Sequence, residues 1–207
     1  MSSHEITSEA QLRELMGDPV HVLVRVKSTA IITPPLRAYI EQSPFLCLAT
    51  HGADGSSDVS PRGDAPGFAH ILDEQTLVIP DRPGNKRLDS VVNIINQPQL
   101  ALVFMIPGVL ETVRVNGRGL ISTDPALLAL FPVNGKLPHL AIVVTVEEAF
   151  GHCSKAFKRS KLWQDDYLPR QKVPTLAEMM GSHLQLDSDT TDMLEAAIAD
   201  DAANNMY

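Results

Sequence analysis

The 207-residue chain is 44% hydrophobic and 20% charged, with 25 acidic against 17 basic side chains and a net charge of −8. That length supports a sizeable core and one domain, and the acidic balance excludes a general nucleic-acid binder, whose affinity comes from a basic surface. Cys47 and Cys153 give neither a disulfide framework nor zinc-ligand spacing, and no apolar run approaches the length of a membrane span.

The N-terminus is polar and carries no signal-peptide pattern, so the expected location is the cytoplasm. Ser8, with Gln11 three residues on, predicts a capped short helix carrying Leu12, Leu15 and Met16. Pro34 and Pro35 start a second helix over Leu36–Ile40. Phe45–Thr50 reads as a buried strand enclosing the Cys47 thiol, ended by the polar turn His51–Gly55. A returning strand follows over Ser57–Ser60, and then Pro61-Arg62-Gly63-Asp64.

Thr76–Ile79 is a short apolar strand leading into Asp81-Arg82-Pro83-Gly84-Asn85-Lys86-Arg87. The next helix is expected to open after Gly84, with Lys86 and Arg87 in its first turn. Leu88, Val91, Val92 and Ile95 are spaced by three and four and predict its buried face; Pro98 stops it. Leu100–Ile106 is a strand with almost no polar residue, so both faces are expected to be covered. Glu111–Asn116 alternates with period two. Gly117 and Gly119 then suggest a bend or bulge, or Asn116-Gly117 a hairpin turn; the bend is favoured because Leu120-Ile121 resumes the strand. Asp124-Pro125 opens a short helix, Leu140–Val146 is another strand, and a terminal helix is expected from Asp192 to Ala203.

Strands and helices do not alternate regularly, so the expected class is mainly β within α+β. The expectation is one domain over 1–207, a small β-barrel with peripheral helices, a helical N-terminal extension over 1–43 and a helical tail over 164–207.

The cationic turn at 81–87 is the most informative stretch. The start of a helix is its positive end and favours acids, so two cations there make physical sense if an anion such as a phosphate sits among them. The Walker and dinucleotide fingerprints are missing. Arg62, stiffened between proline and glycine, could fork onto the same phosphate; its alternative is a surface pair with Asp64. Arg114 and Arg118 lie on one strand, with Thr112 on the face of Arg114. Strand arginines otherwise snorkel at a sheet surface. His152-Cys153-Ser154-Lys155 and Arg159-Ser160-Lys161-Leu162-Trp163 form a third cluster, for which packing is the alternative. No metal site and no nucleophilic triad are expected.

In their order and spacing these segments resemble the pyridoxamine 5'-phosphate oxidase-like flavoproteins, from about Phe45 to Trp163. The carrying residues are Val59–Asp64, Ile79–Asn85, Phe104–Gly108, Glu111–Gly117, His152–Phe157 and Arg159–Trp163. The resemblance implies an FMN-binding split β-barrel and a homodimer with FMN at the subunit interface. It implies the phosphate near Arg62, Lys86 and Arg87, with Asn85 in the same turn and Pro80 and Asp81 along the flavin or ribityl chain. Thr112 falls where the oxidase has a flavin-contacting glutamine. Lys161 and Trp163 would approach from the C-terminal segment, of the same or of the other subunit. The tryptophan-and-arginine segment that engages pyridoxal phosphate has no counterpart after Trp163, so the vitamin B6 substrate does not carry over.

The function these residues imply is an FMN-dependent oxidoreductase with a small-molecule substrate and NADH or NADPH as reductant. The alternative is a non-catalytic carrier of flavin, deazaflavin or haem on the same fold, with His139 or His152 as haem ligand. A ligand-free interaction protein is the third reading.

Overall fold

The structure, a computed structural model, describes residues 4–18 and 21–207. In chain order the helices are α1 (Glu9–Met16), α2 (Val22–Arg25), α3 (Pro34–Gln42), α4 (Asp89–Asn96), α5 (Pro125–Leu128), α6 (Lys155–Ser160), α7 (Leu176–Leu184) and α8 (Ser188–Asn204). The strands are β1 (Phe45–His51), β2 (Ser57–Gly63), β3 (His70–Ile71), β4 (Thr76–Pro80), β5 (Gln99–Met105), β6 (Thr112–Ser122) and β7 (Ala141–His152). They form one antiparallel sheet in the order β2-β1-β5-β6-β7-β4-β3. Its end strands β2 and β3 do not pair with each other, so the curled sheet is a split barrel with helices around it.

Alternation along the strands builds the core. Leu46 and Leu48 of β1, Leu102 and Phe104 of β5, Val115 of β6, Ile142 and Val144 of β7 and Leu77 and Ile79 of β4 are fully buried in one cluster. Ile32 and Ile40, from the N-terminal segment, complete it. Ser43 Oγ lies 2.8 Å from the Phe45 carbonyl and 2.7 Å from that of Met105, fixing the end of α3 to β1 and β5.

Four sequence expectations are corrected. β5 is not covered on both faces: its residues alternate between buried and half-buried. Cys47 points to that outer face and is only half-buried. On α4 the buried residues are Ser90, Val91 and Ile94, while Leu88, Val92 and Ile95 are exposed. Polar anchors set this rotation. Ser90 Oγ donates to Asp58 Oδ2 at 2.9 Å, and Asn93 Nδ2 donates to Thr50 Oγ1 at 3.0 Å. Both hydrogen bonds need the polar residues turned inward, and they swing Leu88, Val92 and Ile95 toward solvent. Finally, α4 begins at Asp89, not after Gly84, so Lys86 and Arg87 precede the helix.

The bend at Gly117 is present. β6 runs unbroken past it, and the register against β7 shifts between Asn116 and Gly117. A Cβ on Gly117 would lie 2.1 Å from the Thr145 carbonyl oxygen, so only glycine lets the two backbones approach this closely. Among the described residues, no helix is long and apolar enough to cross a membrane.

Candidate functional site

A cleft of about 770 Å³ opens between β2, the loop from Pro80 to Leu88 and the start of α4. Its size is within the usual range for a small-molecule or cofactor pocket. Arg62, Pro80, Asp81, Asn85, Lys86 and Arg87 all line it. The topology explains why. β2 is an edge strand whose inward positions Asp58, Ser60 and Arg62 face the loop leaving β4, and that loop is held down where Asp81 N–H donates to the Leu140 carbonyl at 3.0 Å.

The electrostatics of the cleft differ from the sequence expectation. Arg62 Nη1 pairs with Asp81 Oδ1 at 2.7 Å, not with Asp64, and Arg62 Nε donates to Ser60 Oγ at 3.1 Å. Asp64 belongs to Arg82, whose Nε lies 2.6 Å from Asp64 Oδ2. Arg87 N–H donates to Asn85 Oδ1 at 3.0 Å, and the Arg87 guanidinium pairs with Asp89 in the first turn of α4. Lys86 is exposed and adopts a left-handed φ of 58°. Its ammonium has no ion pair among the described residues. The positive end of α4 is therefore served by its own acid, Asp89. No two cations crowd the first turn of this helix, so the helix end itself demands no anion. What the cleft offers is one uncommitted ammonium beside three guanidinium groups, each facing a carboxylate partner.

Next to the cleft, a smaller pocket of about 380 Å³ is lined by Arg82, Lys136, His139 and Tyr207. The Tyr207 hydroxyl donates to Asp64 Oδ1 at 3.0 Å. Burial works to raise the Asp64 pKa. Hydrogen bonds from the Ala65 N–H, Arg82 and Tyr207, with the charge of Arg82, outweigh it and hold the carboxyl below the ordinary range.

Thr112, Lys161 and Trp163 do not line the cleft. Thr112 is buried at the start of β6, opposite His152 of β7. α6 follows β7 directly. Just past it, Lys161 takes a left-handed backbone, and Trp163 stacks on Phe157 with ring centroids 5.6 Å apart. Trp163 Nε1 donates to the Val109 carbonyl at 2.9 Å, three residues before Thr112. These three residues thus gather at one end of β6 and β7, and the cationic residues gather in the cleft. Sequence reasoning missed the Arg82–Asp64–Tyr207 contact. The participants are 143 residues apart at the extreme, and no local pattern links them. Among the described residues, no group of three or more His, Cys, Asp or Glu is placed to hold a metal ion.

The family model for pyridoxamine 5'-phosphate oxidase matches residues 32–153, more than half of the chain. No curated protein matches the sequence. Among solved structures, the chain is similar to HupZ of Group A Streptococcus, at 18% identity over 58% of this chain and 93% of that one, with a TM-score of 0.48. It is similar to general stress protein 26 of Bacillus anthracis, at 14% identity over 56% and 88%, with a TM-score of 0.43. It is also similar to the conserved hypothetical protein Rv2991 of Mycobacterium tuberculosis, at 13% identity over 72% and 96%, with a TM-score of 0.44.

Proposed function

The chain belongs to the pyridoxamine 5'-phosphate oxidase family, and on that premise we propose that it is an FMN-dependent oxidoreductase acting on a small molecule. The observation that carries this reading is the clustering of Arg62, Asn85, Lys86 and Arg87 in one cleft of cofactor size. Lys86 supplies the uncommitted charge for a phosphate, and Arg87 and Arg62 add guanidinium donors. Pro80 and Asp81 line the path from that phosphate toward the strand ends, where the ribityl chain and ring would lie. FMN supplies the hydride or electron chemistry when bound, and the protein supplies position and charge.

A second copy of the chain completes the site in this reading. Thr112, Lys161 and Trp163 do not line the cleft of their own chain, so a partner would bring them to it. The outer sheet face favours such a partner. Cys47, Val103 and Arg114 are register neighbours across β1, β5 and β6, and Cys47 and Val103 leave half-buried apolar surface there. On the adjoining edge strand, Val59 is 64% exposed. Apolar surface left open on a sheet face is a place where a second copy can pack. NADH or NADPH is the proposed reductant.

The test is the small molecule that copurifies, identified by absorbance and mass. A yellow protein carrying FMN, reduced by NADH or NADPH, is the expected result. A colourless protein that takes up no flavin on soaking in FMN overturns the proposal, and a haem or deazaflavin spectrum replaces it with the carrier reading.

A further inference from the structure

Two buried side-chain nitrogens lack a hydrogen-bond partner among the described residues: Arg114 Nε and His152 Nδ1. They sit together on the outer face of β6 and β7, where Thr112 is opposite His152 and Arg114 is opposite Phe150. Lys27 reaches the same place from the segment bridged to β7 through Thr29 and Ala149. Its Nζ lies 4.5 Å from the centre of the Phe150 ring, and the Arg114 guanidinium carbon lies 5.2 Å from it. Neither cation has an ion pair among the described residues. The acid nearest in register, Glu148, already accepts from Asn116 Nδ2 at 2.6 Å.

Buried donors without acceptors are rare and costly, and a cation without a counter-charge beside them compounds the cost. A planar guanidinium with a free Nε–H is shaped for an oxyanion. The imidazole feels the same field: burial first, then the charges of Lys27 and Arg114, lower the His152 pKa. An anion at this position would answer the orphaned donor and both positive charges together.

We propose that Lys27, Arg114 and His152 form an anion-binding site that takes the carboxylate or phosphate of the organic substrate, next to Thr112. Assigning the anion to a substrate rests on the oxidoreductase reading above; the anion site itself rests only on these residues. Phe150 is the apolar wall against which both cations lie. The site is separate from the cationic cleft, so an anionic substrate and a flavin phosphate would not compete within one chain.

The test follows the ¹⁵N imidazole signals of His152, assigned with His152→Gln, in the full-length protein titrated with inorganic phosphate and with acetate. Chloride at matched ionic strength is the control. Saturable shifts and a raised His152 pKa are expected with one or both probes, and the tighter one identifies the group recognised. Arg114→Gln should weaken binding by about tenfold, the loss of one charge-assisted hydrogen bond. Lys27→Ala, at an exposed position, tests the same charge without disturbing the sheet. Lys86→Ala/Arg87→Ala should leave the shifts intact. Shifts that are absent, matched by chloride or indifferent to Arg114→Gln and Lys27→Ala overturn the site. So does an acidic side chain of a second copy seated on Arg114 in a crystal of the dimer. Uptake of FMN is measured in parallel. Flavin binding without the shifts overturns the anion site alone, and the shifts without flavin binding overturn the assignment to an oxidoreductase substrate.

Discussion

Arg62 and Asp81 close on each other across the cleft, guanidinium to carboxylate at 2.7 Å, with both side chains about four-fifths covered. The pair joins β2 to the loop leaving β4, so the wall of the cleft and one of its guanidinium groups are set by one contact. Arg62→Ala should lower stability by about 1–2 kcal/mol, between the values for exposed and fully buried pairs. It should also weaken FMN binding by about tenfold or more, since a charged hydrogen bond is lost with it. Asp81→Asn keeps the shape and releases Arg62 from its competitor, so FMN should bind a few-fold more tightly. Quenching of flavin fluorescence measures both. Weaker binding by Asp81→Asn would mean that the carboxylate itself holds the cofactor.

Lys86 and Arg87 should act on the phosphate and not on the ring. Lys86→Ala is expected to cost more than Arg87→Ala, because the Arg87 guanidinium is already paired with Asp89. The double variant should weaken FMN binding by more than tenfold while riboflavin, which has no phosphate, binds as before. The loss should shrink as salt rises, because both side chains are exposed and screened. Equal losses for FMN and riboflavin would move the phosphate away from this loop.

The segments that sequence reads well are those in which one local rule decides. Ser8 caps α1, accepting from Gln11 N–H at 3.3 Å, and Asp124 caps α5 ahead of Pro125. The period-two pattern after Glu111 gives β6, and Gly117 marks its bulge. The rule fails at α4, where hydrogen bonds of Ser90 and Asn93 to residues 32 and 43 positions away choose the face. It fails again at Lys86 and Leu88, whose left-handed backbones delay the helix to Asp89, with Leu88 at the N-cap making no side-chain cap hydrogen bond. In the candidate site, the residue types of the cleft are visible in the loop at 81–87. The partners of Asp81 and Arg82 are not, because Arg62 and Asp81, and Asp64 and Arg82, meet only through the sheet.

Asp64 ties acid stability to the Tyr207 contact. Its pKa is held below the unfolded value of roughly 3.9. The folded state thus binds fewer protons than the unfolded one between the two values, and stability falls as pH drops. The contribution is fully present above about pH 4 and is lost as the pH passes down through the folded pKa. Asp64→Asn should flatten this acid limb while lowering stability at neutral pH, where Arg82 loses its partner. Tyr207→Phe removes one of the hydrogen bonds that lower the pKa, so the acid loss should be smaller and be complete at a higher pH. Urea midpoints at neutral and acid pH measure it, and identical acid limbs for wild type and Asp64→Asn would refute the assignment.

Gly117 and Gly119 lie two residues apart on β6 and should respond differently to alanine. At Gly117 the new methyl meets backbone, the Thr145 carbonyl oxygen at 2.1 Å and its carbon at 3.1 Å. Relief requires moving β7, the strand that carries Phe150 and His152 opposite Arg114 and Thr112. At Gly119 the methyl meets side-chain ends, Leu100 Cδ2 at 2.6 Å and Ile94 Cγ2 at 3.1 Å, which can turn aside. Gly117→Ala should therefore cost about 3 kcal/mol or more and Gly119→Ala about 1–2 kcal/mol, the range of overpacked cores. The Gly117 variant should also perturb the His152 imidazole signal, because the register at the bulge aims that end of the sheet. The Gly119 variant should leave that signal in place, since its strain falls on Leu100 and Ile94 inside the barrel. Thermal denaturation with the His152 spectrum reads both effects, and a Gly119→Ala cost equal to that of Gly117→Ala would show that β7 yields as easily as a leucine methyl.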